Sequence, residues 1–144
     1  MRSVFQRSLR PELPALPAAA AAVREWLARE GVEPQVIHAI DFALEELVTN
    51  SIRHALQGRE TRAEELGLRV ETTLESVELL VDDGGAAFDP TRAAPPAPFV
   101  DLASAPVGGR GLDMLRRLTP DVRYERVGER NVTRVRVLRT RAAG

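Results

Sequence analysis

The chain has 144 residues, of which 44% are hydrophobic and 28% charged, with a formal net charge of −1; this suits one domain with a single core and excludes a global electrostatic pull toward nucleic acid or acidic membranes. With no cysteine, disulfides, zinc–thiolate sites and thiol nucleophiles are excluded. All twenty Lys/Arg positions are arginine, which removes the P-loop lysine, the strand lysine of eukaryotic-type kinases and Schiff-base chemistry.

Any phosphate handling must therefore use backbone N–H groups, arginine and a metal. Only His38 and His54 are histidines, so a multi-histidine metal site is excluded. The sequence has no apolar run of about eighteen residues and no cleavable signal pattern, and predicts a cytoplasmic protein.

In chain order, Ser3 to Arg10 alternates in character and predicts an edge strand closed by Pro11. Pro14 to Glu30 is alanine-rich with Leu16, Val23, Trp26 and Leu27 on one side, and predicts a helix capped by Gly31. Pro34 opens a central helix that Gln57-Gly58 ends. Its apolar stripe is Val36, Ile37, Ile40, Leu44, Leu47, Val48 and Ile52. Leu66–Leu74 and Val77–Asp82 predict a hairpin turning at Glu75-Ser76. Thr91 to Pro106, rich in proline and alanine, predicts a mobile loop. Gly108 to Gly111 opens a short helix, Leu112 to Leu118. Val122–Val127 and Val132–Leu138 predict a last hairpin around Gly128-Glu129-Arg130, with Val135 and Val137 alternating against Arg134 and Arg136.

Three stretches carry chemistry, each with a plainer alternative. On the central helix, Glu46 and Asn50 sit one turn apart, roughly 6 Å at about 1.5 Å rise per residue. A carboxylate and a carboxamide placed so can serve a reacting hydroxyl and a metal ion; the alternative is a solvated polar edge. Asp83-Gly84-Gly85 ends an apolar strand, where an aspartate can accept from the exocyclic amine of adenine and glycine lets the base lie close; the alternative is an ordinary Asp-Gly turn. Gly108-Gly109-Arg110-Gly111-Leu112 offers free N–H groups at a helix entry for phosphate; the alternative is a flexible connection. His54 reads as filling the seam between helix and sheet and hydrogen-bonding locally, with a base or a metal ligand as the alternative, and Arg116-Arg117 as a solvated helix edge.

The order of these three stretches resembles the Bergerat-fold ATP-binding superfamily of gyrase, MutL, the ninety-kilodalton heat-shock chaperone and histidine kinases. Glu46-Leu-Val-Thr-Asn50-Ser-Ile-Arg-His54-Ala55 corresponds to its N-box, Asp83-Gly-Gly85-Ala-Ala87-Phe-Asp-Pro90 to its first glycine box, and Gly109-Arg-Gly111-Leu112 to its second. Over roughly residues 5 to 140 the chain is similar to the stand-alone anti-sigma-factor serine/threonine kinases. The resemblance implies one histidine-kinase-like ATP-binding domain over 1–144. Its fold class would be α/β, an α+β two-layer sandwich with a mixed, mostly antiparallel sheet covered on one face by about three helices.

It further implies ATP and Mg²⁺ as cofactors. Asn50 would hold the metal, Glu46 would be the catalytic base toward a substrate serine or threonine, and Asp83 would read adenine. Gly85, Ala87, Gly109, Arg110, Gly111 and Leu112 would complete the nucleotide site. The implied partners are a sigma factor and a small STAS-type antagonist, with no direct nucleic-acid or membrane contact and a homodimer left open. A non-catalytic, ATP-gated partner-binding module is the alternative function. Two departures stand out. Ala87 occupies the place of a second glycine, and the short proline-rich lid lacks the basic residues that in the family often reach the γ-phosphate, leaving Arg110 to substitute.

Overall fold

The computed structural model describes residues 2–56, 66–92, 115 and 117–140. Five strands form one sheet in the order β1-β2-β3-β5-β4, with β1 Ser3–Leu9, β2 Leu66–Thr72, β3 Ser76–Asp83, β4 Asp121–Val127 and β5 Arg130–Leu138. All four pairings are antiparallel, so the expected mixed sheet is antiparallel throughout the described residues. As expected, β1 is an edge strand. β3 lies at the centre, between β2 and β5.

Helix α1 covers Leu16–Arg29, entered through a 3₁₀ turn at Leu13–Ala15, and α2 covers Pro34–Asn50. The stop of α1 is written in Gly31, whose φ of 74° is a left-handed conformation that glycine adopts without a Cβ penalty. Gly31 N donates to Ala28 O and Val32 N to Leu27 O, each at 3.1 Å, the paired bonds that cap helix carbonyls. Val32 and Leu27 both enter the core, and the chain reverses directly into α2. Pro34 opens α2 in its first turn, where its missing N–H costs nothing. Of the predicted stripe, Val36, Ile40, Leu44, Leu47 and Val48 are buried, while Ile37 and Ile52 pack against the core from its margin.

The core lies between α1/α2 and one face of the sheet. Leu66, Leu68 and Val70 of β2 and Val77, Leu79 and Val81 of β3 alternate inward, as the two-residue period of a strand requires. The outward positions carry Arg69, Glu71, Glu78, Asp82, Arg134 and Arg136, all wet or half-buried. Continuing the inward phase of β3 by two residues puts a carboxylate, Asp83, in the same buried row at 3% exposure.

Several boundaries differ from the sequence reading. α2 gives way after Asn50 to a π-helical turn at Ser51–Ala55, with Leu56 N bonded to Ser51 O at 2.9 Å. The expected stop at Gln57-Gly58 lies outside the described residues. Strand β2 stops at Thr72 because the Thr73 hydroxyl takes the N–H groups of Glu75 and Ser76 and starts the turn early. Of the short helix expected over Leu112 to Leu118, only Leu115, Arg117 and Leu118 are described, all helical. Residues 93–106 of the expected lid are outside the described residues.

Candidate functional site at the α2–β3 seam

The π turn is the local device that builds the site. A π turn widens a helix by one residue and is found often at functional sites. Here it turns the carbonyl of Ala55 toward the loop that leaves β3, where it accepts from Ala86 N at 2.9 Å. A Cβ on Gly85 would stand 2.4 Å from Ala55 O and 2.5 Å from its carbonyl carbon. Only glycine fits between these two backbones. The first glycine box is thereby fastened to the end of the helix that carries Glu46 and Asn50.

Asn50 and Asp83 then face each other across the seam. Both are 3% exposed, and with Leu47, Val81, Phe88 and Thr133 they line a cavity of about 10 Å³, room for about one water molecule. It is too small for a base by itself. Asn50 Nδ2 donates to Glu46 O at 2.6 Å, which turns Oδ1 away from the helix backbone. An amide oxygen so presented is a hard donor of the kind Mg²⁺ takes beside phosphates and water. Among the described residues no three His, Cys, Asp or Glu side chains cluster as an all-protein metal site. The donors present therefore suit a cation that arrives with a phosphate ligand.

Glu46 stands one turn before Asn50. Among the described residues its buried Oε2 has no hydrogen-bond partner, an expensive state for a carboxylate. Burial raises its pKa above the ordinary carboxylate value, the neighbouring Glu45 charge adds to the rise, and Arg53 opposes it. A base works best when its pKa approaches the working pH, so the same burial that costs stability suits Glu46 to proton abstraction.

Asp83 accepts from Gly85 N at 2.9 Å and from Asn131 Nδ2 at 2.8 Å, both on Oδ1. Asn131 lies directly opposite it in register. Arg126 Nη1 reaches Gly85 O at 2.8 Å and Asn131 Oδ1 at 3.0 Å.

The structure thus brings together Asn50, Asp83 and Gly85, with Glu46 one turn before Asn50 on α2 and outside the lining of that cavity. Ala87 is exposed, and the close backbone approach falls on Gly85 instead. Gly109, Arg110, Gly111 and Leu112 lie outside the described residues. His54 departs from its reading: it is exposed rather than filling the seam, and its ring stacks on Phe88 at 4.7 Å and 15°. Arg117 is exposed, as expected of a helix edge. The sequence reading did not find Asn131, Arg126 or Tyr124. A signal for Asn131 was present, since Asn131 and Thr133 fall in phase with the inward Val135 and Val137, which marks two polar residues on a core face.

Residues 9–137 match the histidine kinase-like ATPase domain family. The serine-protein kinase RsbW of Listeria innocua serovar 6a is 30% identical over 99 residues, 66% of this chain and 62% of that protein. The serine/threonine-protein kinase BtrW of Bordetella bronchiseptica is 33% identical over 87 residues, 60% of each. The chain thus spans about three-fifths of these relatives. The solved RsbU and RsbW domains of Rv1364c from Mycobacterium tuberculosis superpose with a TM-score of 0.68 at 19% identity, covering 97% of this chain and 34% of that one. That likeness is one of fold: an α+β layer pair of the same design.

Proposed function

Because the chain belongs to the histidine kinase-like ATPase domain family, we propose that it binds Mg-ATP, sequesters a sigma factor, and phosphorylates a small antagonist protein on serine or threonine. The observation that carries this reading is the seam itself. Glu46, Asn50 and Asp83 are three unlike polar groups drawn from one helix and the central strand, and Gly85 locks those two elements together. The relatives named as serine or serine/threonine kinases supply the class of reaction.

In this reading Asp83 accepts from the exocyclic amine of adenine, and Asn50 Oδ1 would hold the cation. Bound Mg²⁺ would neutralise phosphate charge. Glu46 takes the proton of the incoming hydroxyl as that oxygen bonds the γ-phosphorus and the bond to ADP breaks. Its raised pKa favours keeping that proton. Gly109, Arg110 and Gly111 are assigned to the phosphates by resemblance. The partners would be a sigma factor and a STAS-type antagonist, exchanged according to nucleotide state, with all of this in the cytoplasm. No described helix is long and apolar enough to cross a membrane.

The test is transfer of labelled γ-phosphate to the antagonist recovered with this chain from its native cell. Label on a serine or threonine is expected. Nucleotide-dependent binding of the partner without label would leave an ATP-gated binding module.

A further inference from the structure

We infer that Asn131 is the positioning residue for Asp83, holding its carboxylate in the one orientation that can read a base. The inference rests on the proposed role of Asp83 and goes beyond it. Asn131 is 3% exposed and sits opposite Asp83 where β3 and β5 pair. A carboxamide has two N–H donors and one oxygen with two lone pairs. Both donors are committed, to Asp83 Oδ1 and Ala86 O, each at 2.8 Å. The oxygen accepts from Phe88 N at 3.1 Å, from Arg126 Nη1 at 3.0 Å and from the Tyr124 hydroxyl.

These partners fix the direction of the amide. A carboxylate only accepts, so the NH₂ must face Asp83; three donors converge on the other end, so the oxygen must face them. The group cannot turn over. Its bond to Asp83 joins that of Gly85 N on Oδ1, which sets the carboxylate torsion and leaves Oδ2 unused by either bond. The same amide ties Ala86 and Phe88, so loop and carboxylate are held as one unit. Asn131 acts on the base through Asp83, and its effect should therefore depend on which base is offered.

The experiment titrates ATP and inosine triphosphate calorimetrically, with Mg²⁺, into the intact chain and its variants. Inosine carries a 6-oxo group where adenine carries the 6-amine. The unmodified protein should prefer ATP roughly 10- to 150-fold, the range for a hydrogen bond to a charged group. Asp83→Asn should abolish that preference. Asn131→Ala should weaken ATP roughly 10-fold while changing inosine triphosphate less than about twofold. Should Asn131→Ala fail to fold, the double variant Tyr124→Phe/Arg126→Ala removes two donors to Asn131 Oδ1 from a half-buried and an exposed site, and should narrow the preference in the same sense.

Equal weakening of both nucleotides would make Asn131 merely structural and overturn the inference. An unchanged preference in Asn131→Ala, or in the double variant standing in for it, alongside its loss in Asp83→Asn, would overturn the inference and leave Asp83 as the reader. A preference kept by Asp83→Asn would remove the base reading itself, and the inference with it.

Discussion

Gly85 lies so close to Ala55 that a single added Cβ would stand 2.4 Å from the Ala55 carbonyl oxygen. This contact joins the last turn of the central helix to the loop beyond the central strand. It decides whether Asn50 and Asp83 share one cavity.

Gly85→Ala should therefore force the two backbones apart. The expected loss is about 1–3 kcal/mol of stability, the usual range for overpacking, with ATP binding weakened as well. Gly84→Ala is the control, because among the described residues its Cβ would meet only Arg130 Nη1 at 3.3 Å, the end of a flexible side chain. Urea unfolding of both variants checks this. Equal midpoints for the two would contradict the contact.

Asn50→Ala deletes the oxygen proposed to face the cation but leaves the helix able to form. ATP binding should lose its dependence on Mg²⁺. Calorimetric titrations with Mg²⁺ and with a chelator check it, and a variant still tightened by Mg²⁺ would move the metal site elsewhere.

Glu46 makes a prediction about pH. Its folded pKa is raised above the ordinary 4.5, so the folded state holds its proton longer than the unfolded state does. Its contribution to stability is fully present below the ordinary value and is lost as pH rises through the raised one. Glu46→Gln cannot ionise, and should be more stable than the parent at neutral pH, the advantage shrinking as pH falls toward 4.5. Unfolding midpoints measured across that range test it; a variant less stable at neutral pH would be the opposite result.

Glu33 behaves in the reverse sense. Arg139 donates to Glu33 Oε1 through Nε at 3.1 Å and Nη2 at 2.9 Å, and also reaches Gly31 O and Thr73 O. The hydrogen bond to Arg139 is the main cause of a lowered Glu33 pKa, against an opposing effect of burial. The stability from this clamp is present above about pH 4.5 and is lost as pH falls through the lowered value. Arg139→Met should lower the midpoint most above that pH and least in strong acid. A pH-independent difference would contradict it.

Much of this was legible in the sequence because one-residue rules sufficed. Proline at the start of α2, glycine after α1 and the in-phase valines of β3 each declare their place locally. The helix period put Glu46 and Asn50 on one face, but each stretch alone also read as a solvated edge or an ordinary turn, and the roles of Glu46, Asn50 and Asp83 came from the resemblance. What stayed hidden depends on pairings distant in sequence. Asn131 meets Asp83 through a register between strands 48 residues apart, and no local pattern fixes that register. The π turn was hidden too, since Ser51 to Ala55 continues a helical pattern and only the approach of Gly85 shows why the helix widens. His54 was misread because an amphipathic position says nothing of Phe88, which reaches it from the loop beyond β3.

The most direct test of the account measures ATP binding and phosphotransfer in the same preparations of the parent protein and Glu46→Gln, with the antagonist as acceptor. If Glu46 is the base, Glu46→Gln should bind Mg-ATP within about twofold of the parent and transfer phosphate roughly 10²- to 10⁴-fold more slowly, the usual share of a general base. Transfer by Glu46→Gln at the parent rate would contradict the account.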